Sequence, residues 1–194
     1  IYQVGDKKIL VWIGDVSSRN TTNRTALYYS VFDGGWSVPT IIDDDGTGDF
    51  DFDGYVNDEE LYITWQNASK VFDEDVSLDE FTKNTEICVA KYEGESDKFL
   101  DSEILTKDST LLHAKPSITG NKDKVTITWI TNSANDINGL EGVNTINSSS
   151  YENNKWNSKE ILKLEEGNVI GGLDTLNLGR NQFITYSINQ GNES

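Results

Sequence analysis

Five residues that could offer oxygen ligands stand in an order that suits a calcium ion: Asp49, Asp51, Asp53, Tyr55 and Glu60, with Gly54 among them. Alternating carboxylates, a glycine at the sharp turn, the backbone carbonyl of Tyr55 and a bidentate carboxylate from Glu60 make up the twelve-position loop that wraps this hard cation. Calcium is therefore the cofactor this stretch would take. A second reading stays open, because residues 49–60 also align without a gap on residues 113–124, which hold no such set. There Asp49, Asp51 and Asp53 become the polar side of a strand, Phe50 and Phe52 pack, and residues 57–60 turn. Carboxylates repeated along one side of a strand repel unless water or a metal compensates them.

A second group, Phe72, Asp73, Glu74, Asp75 and Phe81, combines aromatic rings with a run of carboxylates. That composition suits contact with a protein or glycan ligand, and these are the expected ligand-binding residues. Catalytic sets are harder to find. His113 is the single histidine and reads as a surface residue, since the aligned position holds Asp49. No Ser/His/Asp set, zinc set or phosphate loop stands out. Paired carboxylates for glycoside hydrolysis have no sequence signature, because their separation is spatial and the chain holds 33 Asp and Glu.

The elements that would position these groups come from a repeat of about sixty residues. Thr25-Ala-Leu-Tyr-Tyr-Ser-Val-Phe-Asp33 aligns with residues 85–93 and 144–152, placing Phe32, Tyr92 and Tyr151 in one column. Trp36, Phe99 and Trp156 open a second column. Leu61-Tyr-Ile-Thr-Trp65, Val125-Thr-Ile-Thr-Trp129 and Gln182-Phe-Ile-Thr-Tyr186 form a third, with Ile9-Leu-Val-Trp-Ile13 fitting to within one residue. Apolar residues fall at every second position and Val, Ile, Thr and aromatics dominate, which is strand chemistry. No helix is expected.

Each repeat thus reads as four short strands, at residues 49–56, 60–67, 85–93 and 99–106 in the second copy. The fold class expected is all-β, built of four-stranded antiparallel β-propeller blades. Repeats fall at about residues 1–48, 49–112, 113–168 and, incomplete, 169–194, or about three and a half blades. A propeller closes with roughly four to eight blades, so the remainder of the propeller or a second copy of the chain is an expected partner. The loops between the second and third strands differ most, and they emerge at the same end as the loops that join one repeat to the next. This gathers the acidic runs at residues 43–49 and 72–80 on one rim, a natural binding face.

The formal net charge of −17 argues against a nucleic-acid partner, which needs clustered Lys and Arg. No apolar run is long enough for membrane insertion. Cys88, the single cysteine, sits mid-strand and reads as a packing residue. The Asn-x-Ser/Thr sites at Asn20, Asn23, Asn67, Asn147 and Asn192 are what an Asn- and Ser-rich chain produces by chance.

Ser30-Val-Phe-Asp33-Gly34-Gly35-Trp36, at the turn between third and fourth strands, resembles a shortened Asp box of sialidase-like propellers. The following Trp36-Ser-Val-Pro39 resembles the start of the fourth strand in many bacterial secreted propellers. The twelve residues from Asp49 resemble EF-hand and dockerin loops and the Asp-rich calcium hairpins of integrin-type propellers. The resemblance implies an extracellular or cell-surface protein, with Asp33 capping backbone amides and Trp36 packed between sheets. A sialidase also needs three arginines from separate blades, a tyrosine nucleophile with its glutamate and an acid/base aspartate. Here Arg19 and Arg24 share one loop and Arg180 is the only other arginine. The expected function is a non-catalytic binding or scaffolding propeller region. The alternative is the non-catalytic part of a sialidase-like glycoside hydrolase whose active residues lie outside this chain.

Overall fold

Alternation of apolar and polar residues produces strands throughout the computed structural model, which describes residues 1–57, 59–107, 109–121, 123–178 and 181–190. Asp58 and Lys122 of the expected turns, Arg180 and the Asn192 site lie outside the described residues. In chain order the elements are β1 (Tyr2–Val4), β2 (Lys7–Asp15), β3 (Thr25–Phe32) and β4 (Thr40–Ile41); β5 (Asp49–Asn57), β6 (Glu60–Ala68), α1 (Leu78–Thr82), β7 (Thr85–Glu93), β8 (Lys98–Phe99) and β9 (Glu103–Ile104). There follow β10 (Leu112–Asn121), β11 (Lys124–Asn132), β12 (Asn144–Glu152) and β13 (Lys155–Lys163), then β14 (Asn168–Leu178) and β15 (Asn181–Gln190).

The protein is all-β, with four antiparallel sheets formed in chain order: β1 to β4, β5 to β9, β10 to β13, and the pair β14 and β15. Within each sheet successive strands are neighbours, except that β9 pairs with β7 rather than with β8. Pairings Trp12↔Tyr28, Trp65↔Cys88 and Trp129↔Asn147 make Trp12, Trp65 and Trp129 equivalent. That resolves the one-residue ambiguity in the first copy.

The sheets stack face to face, and the two faces of each strand serve different neighbours. Leu61, Ile63 and Trp65 of β6, with Cys88, Ala90 and Tyr92 of β7, pack on Ile9, Val11, Leu27, Tyr29 and Val31 of the first sheet. Tyr62, Ile87 and Val89 on the opposite face pack on Ile118, Val125, Ile127 and Trp129 of the third. Ile130 and Ile146 meet Ile170 of the fourth. Each fully buried Leu, Ile or Val in these layers contributes roughly 1.5–3 kcal/mol.

The first strand of each sheet also touches the first strand of the next. Two glycines allow the approach. A Cβ on Gly54 of β5 would stand 2.5 Å from the Tyr2 ring of β1, and one on Gly120 of β10 would stand 2.6 Å from the Tyr55 ring of β5. The Asp53 carboxylate accepts the Ile118 N–H at 2.9 Å, and Ser117 Oγ accepts the Thr175 N–H at 3.2 Å, carrying the contact from β5 through β10 to β14.

Outer strands depart from the expected pattern in the first two sheets, while β13 of the third follows it. The fourth strand of the first sheet is only β4, because Pro39 has no N–H to donate and the segment pairs on one side alone. In the second sheet it is split into β8 and β9, both paired to β7. The one helix among the described residues, α1, was not expected: Ser77 Oγ accepts the Glu80 N–H at 3.2 Å, and Asp79 and Glu80 suit the first turn. Among the described residues no helix is long and apolar enough to cross a membrane.

Candidate functional site

The loops after β2, β4 and β6 meet at one end of the first two sheets, here the upper end. Asn23 organises the meeting. Its Oδ1 accepts the Phe72 N–H at 2.9 Å and its Nδ2 donates to the Phe72 carbonyl at 2.7 Å, across 49 residues of sequence. Asn20 Nδ2 donates to the same carbonyl at 2.8 Å. Arg19 donates to the carbonyls of Thr47 at 2.5 Å and Asn23 at 3.3 Å and pairs with Asp44. Arg24 pairs with Asp15 at 2.8 Å. Arg19 therefore acts as a strut between two loops, while Arg24 closes the base of its own loop against the end of β2.

This geometry corrects the assignment of Phe72 as a contact residue. Phe72 is 4% exposed, its ring centroid 5.5 Å from that of Phe81, which in turn lies 5.4 Å from Phe50. The rings form a small satellite core beneath the β6–β7 loop, with Phe81 partly buried. Asp73, Glu74 and Asp75 stand outside it, exposed, and with exposed Asp44 and Asp79 they make the rim acidic.

Residues 49–57 are strand rather than loop, the second of the two readings open in the sequence. Asp49 is buried, and its Oδ2 accepts the Leu27 N–H of β3 at 2.7 Å. Asp51 is exposed beside the bulge between Phe50 and Phe52. Asp53 Oδ1 accepts the Gly54 N–H at 2.8 Å while Oδ2 serves Ile118. Tyr55 lies against Gly120 of β10, on the face that Tyr62 and Ile118 share. Glu60 pairs across the turn with Asn57, takes Lys91 Nζ at 2.5 Å and accepts the Tyr62 hydroxyl at 2.8 Å. At about 3.3 Å per residue, the strand sets Asp49 some 25 Å from Glu60, whereas calcium ligands stand about 2.3–2.6 Å from the ion. The fold does not bring these five residues to one point.

Several groups at the upper end titrate unusually. Burial pushes the Asp49 carboxyl up to about 7, against the pull of the Leu27 N–H and with the charges of Asp45 and Asp43 adding to the rise. Glu86 is raised by burial as well. Asn67 bridges the cluster, donating to Glu86 at 3.0 Å and accepting from Thr47 Oγ1 at 2.8 Å. Cys88 is a buried free thiol pushed well up by burial, in keeping with a packing role.

His113 is buried, not on the surface. Its Nδ1 lies 2.9 Å from Thr131 Oγ1 and its Nε2 2.7 Å from Ser109 Oγ, and burial lowers its pKa to about 4. Its backbone N–H donates to Thr85 Oγ1 of the second sheet at 2.9 Å. It borders a cleft of about 310 Å³ that Ser109, Trp129, Asn147 and Glu160 also line. Sequence reasoning missed this burial, although the aligned Asp49 and His113 share it and both join neighbouring sheets.

The Asp-box-like turn is also altered. Trp36 lies 5.2 Å from Phe32 across the turn but is 49% exposed, so it does not pack between sheets. The same aromatic pair recurs as Tyr92 with Phe99 at 5.5 Å and Tyr151 with Trp156 at 5.2 Å.

No protein-family model and no curated protein matches this chain.

Proposed function

We propose that this chain is a β-propeller region that acts as a non-catalytic binding scaffold, with the upper loops presenting the contact surface to a protein or glycan partner. The carrying observation is the double hydrogen bond of Asn23 to Phe72, which pins two loops of unequal length into one rigid acidic rim. Serial stacking of the sheets and contact between their first strands support the propeller reading. Preorganised loops lose less entropy on binding, and a negative rim favours partners with a basic contact surface. Engagement of Arg19 as a strut and of Arg24 with Asp15 weighs against their use as a carboxylate clamp. A secreted or cell-surface setting suits an acidic scaffold of this kind.

Glycan and protein arrays probed with the wild-type chain and with an Asp73→Asn, Glu74→Gln, Asp75→Asn variant test the reading. Binding by the wild type, weakened several-fold in the variant and without release of cleaved glycan, is the expected result. Glycan cleavage, or binding indifferent to the three substitutions, would overturn it.

A further inference from the structure

We propose that the cleft bordered by His113, between the second and third sheets, binds a neutral saccharide through the Trp129 indole N–H, the Asn147 side-chain carbonyl and the Glu160 carboxylate. The register sets these three in one row, since Trp129 of β11 pairs with Asn147 of β12 and Asn147 with Glu160 of β13. All three line the cleft of about 310 Å³, and Leu105 and Leu111 supply apolar walls. Trp129 is 3% exposed, and among the described residues its Nε1 has no hydrogen-bond partner. A buried donor without an acceptor is destabilising, so one on the wall of a cleft calls for a ligand atom to complete it. Asn147 Nδ2 donates to Thr131 Oγ1 at 2.9 Å, which leaves its Oδ1 to accept. Glu160 is exposed.

The repeat shows how the indole comes to lack its acceptor. In the second sheet the equivalent Trp65 N–H stands beside the Asp49 carboxylate and draws its pKa down. In the third sheet His113 takes the place of Asp49, and both its ring nitrogens are engaged, by Thr131 Oγ1 at 2.9 Å and Ser109 Oγ at 2.7 Å. Charge then narrows the ligand. His113 stays neutral above about pH 4, and the other charged groups on the cleft wall are Lys107 and Glu160, one of each sign. An anion would meet Glu160 and a cation Lys107, so an uncharged ligand is favoured. The row offers one donor and two acceptors. A hydroxyl accepts one hydrogen bond while donating another, so neighbouring hydroxyls of a sugar satisfy all three while its C–H face lies on the leucines. Ligand clefts run from about 300 to 1,000 Å³, and the small end of that range suits a mono- or disaccharide. None of these residues belongs to the acidic rim, so the inference goes beyond the rim reading.

Saturation-transfer NMR and calorimetric titration test the proposal on the wild-type chain. The probes are glucose, galactose, mannose, xylose and N-acetylglucosamine, each as monosaccharide and disaccharide, with glucuronate as the charged control. At least one neutral probe should bind, and glucuronate should not. Trp129→Phe keeps a ring and deletes the N–H, and Glu160→Ala removes an exposed acceptor; each should weaken that binding several-fold. Because Glu160 is exposed, its variant keeps the test in force where Trp129→Phe does not fold. No binding by any neutral probe, binding unchanged in either folded variant, or binding of glucuronate overturns the proposal. Loss of binding in the Asp73→Asn, Glu74→Gln, Asp75→Asn variant would place the sugar on the acidic rim, overturning this inference while sustaining that reading.

Discussion

The Asp53 carboxylate on β5 accepts the backbone N–H of Ile118 on β10 at 2.9 Å, so a side chain of one sheet satisfies the main chain of the next. Bonds of this kind fix how neighbouring sheets meet, which apolar layers alone leave loosely specified. Replacing Asp53 by Ala strands the Ile118 donor and should cost about 1–3 kcal/mol. Asp53→Asn keeps an acceptor oxygen and should recover most of the loss. Urea denaturation of both variants measures the difference.

Asp49 and His113 give opposite pH dependences. The carboxyl of Asp49, raised to about 7 in the folded chain, contributes stability that is full below its ordinary value of 3.8 and is lost as pH rises through about 7. His113, lowered from 6.5 to about 4, contributes stability that is present above 6.5 and is lost as pH falls through about 4. The two slopes oppose one another across this window. Asp49→Asn should therefore unmask a stability that rises with pH between about 4 and 6.5, and His113→Gln one that falls between about 4 and 7. Thermal melts across a pH series check the sign of each slope.

Asn23→Ala strands the Phe72 N–H and leaves its carbonyl with Asn20 alone. The expected loss is about 1–3 kcal/mol, with local opening of the β6–β7 loop exceeding the global change. Hydrogen exchange at the Phe72 amide should accelerate far more than at Ile63. Equal acceleration at both sites would show that Asn23 acts on the whole fold instead.

Chelation tests the strand assignment of residues 49–57. Asp49 and Asp53 already accept backbone N–H groups of neighbouring sheets, and Glu60 is held by Lys91 and Tyr62 at the far end. Adding calcium or chelator should leave the melting midpoint unchanged, because only a ligand selective for the folded chain raises it. A calcium-dependent rise would mean that residues 49–60 close into a loop.

The second and third strands of each repeat were legible because Leu61, Ile63 and Trp65, like Val125, Ile127 and Trp129, alternate with residues that face the other neighbour. The outer strand was legible in the third sheet, where β13 spans Trp156 to Leu162, but not in the first two, where a strand paired on one side only tolerates Pro39 or a break at residues 100–102. Phe72 looked like a contact residue because it opens an acidic run. Its role depends on Asn23, 49 residues earlier, and local pattern carries no trace of that bond. The aspartates of β5 match a calcium loop by spacing alone, while the gapless alignment on residues 113–124 was the sign that they belong to a strand.

The central claim is that the sheets fan outward from a shared line of first strands. Paired spin labels measure this directly, one pair at the equivalent first-strand positions Asp51 and Lys115, another at the equivalent outer positions Glu103 and Glu160. A fan predicts the Glu103–Glu160 separation to exceed the Asp51–Lys115 separation. Equal separations would describe sheets stacked in parallel layers and would contradict the account.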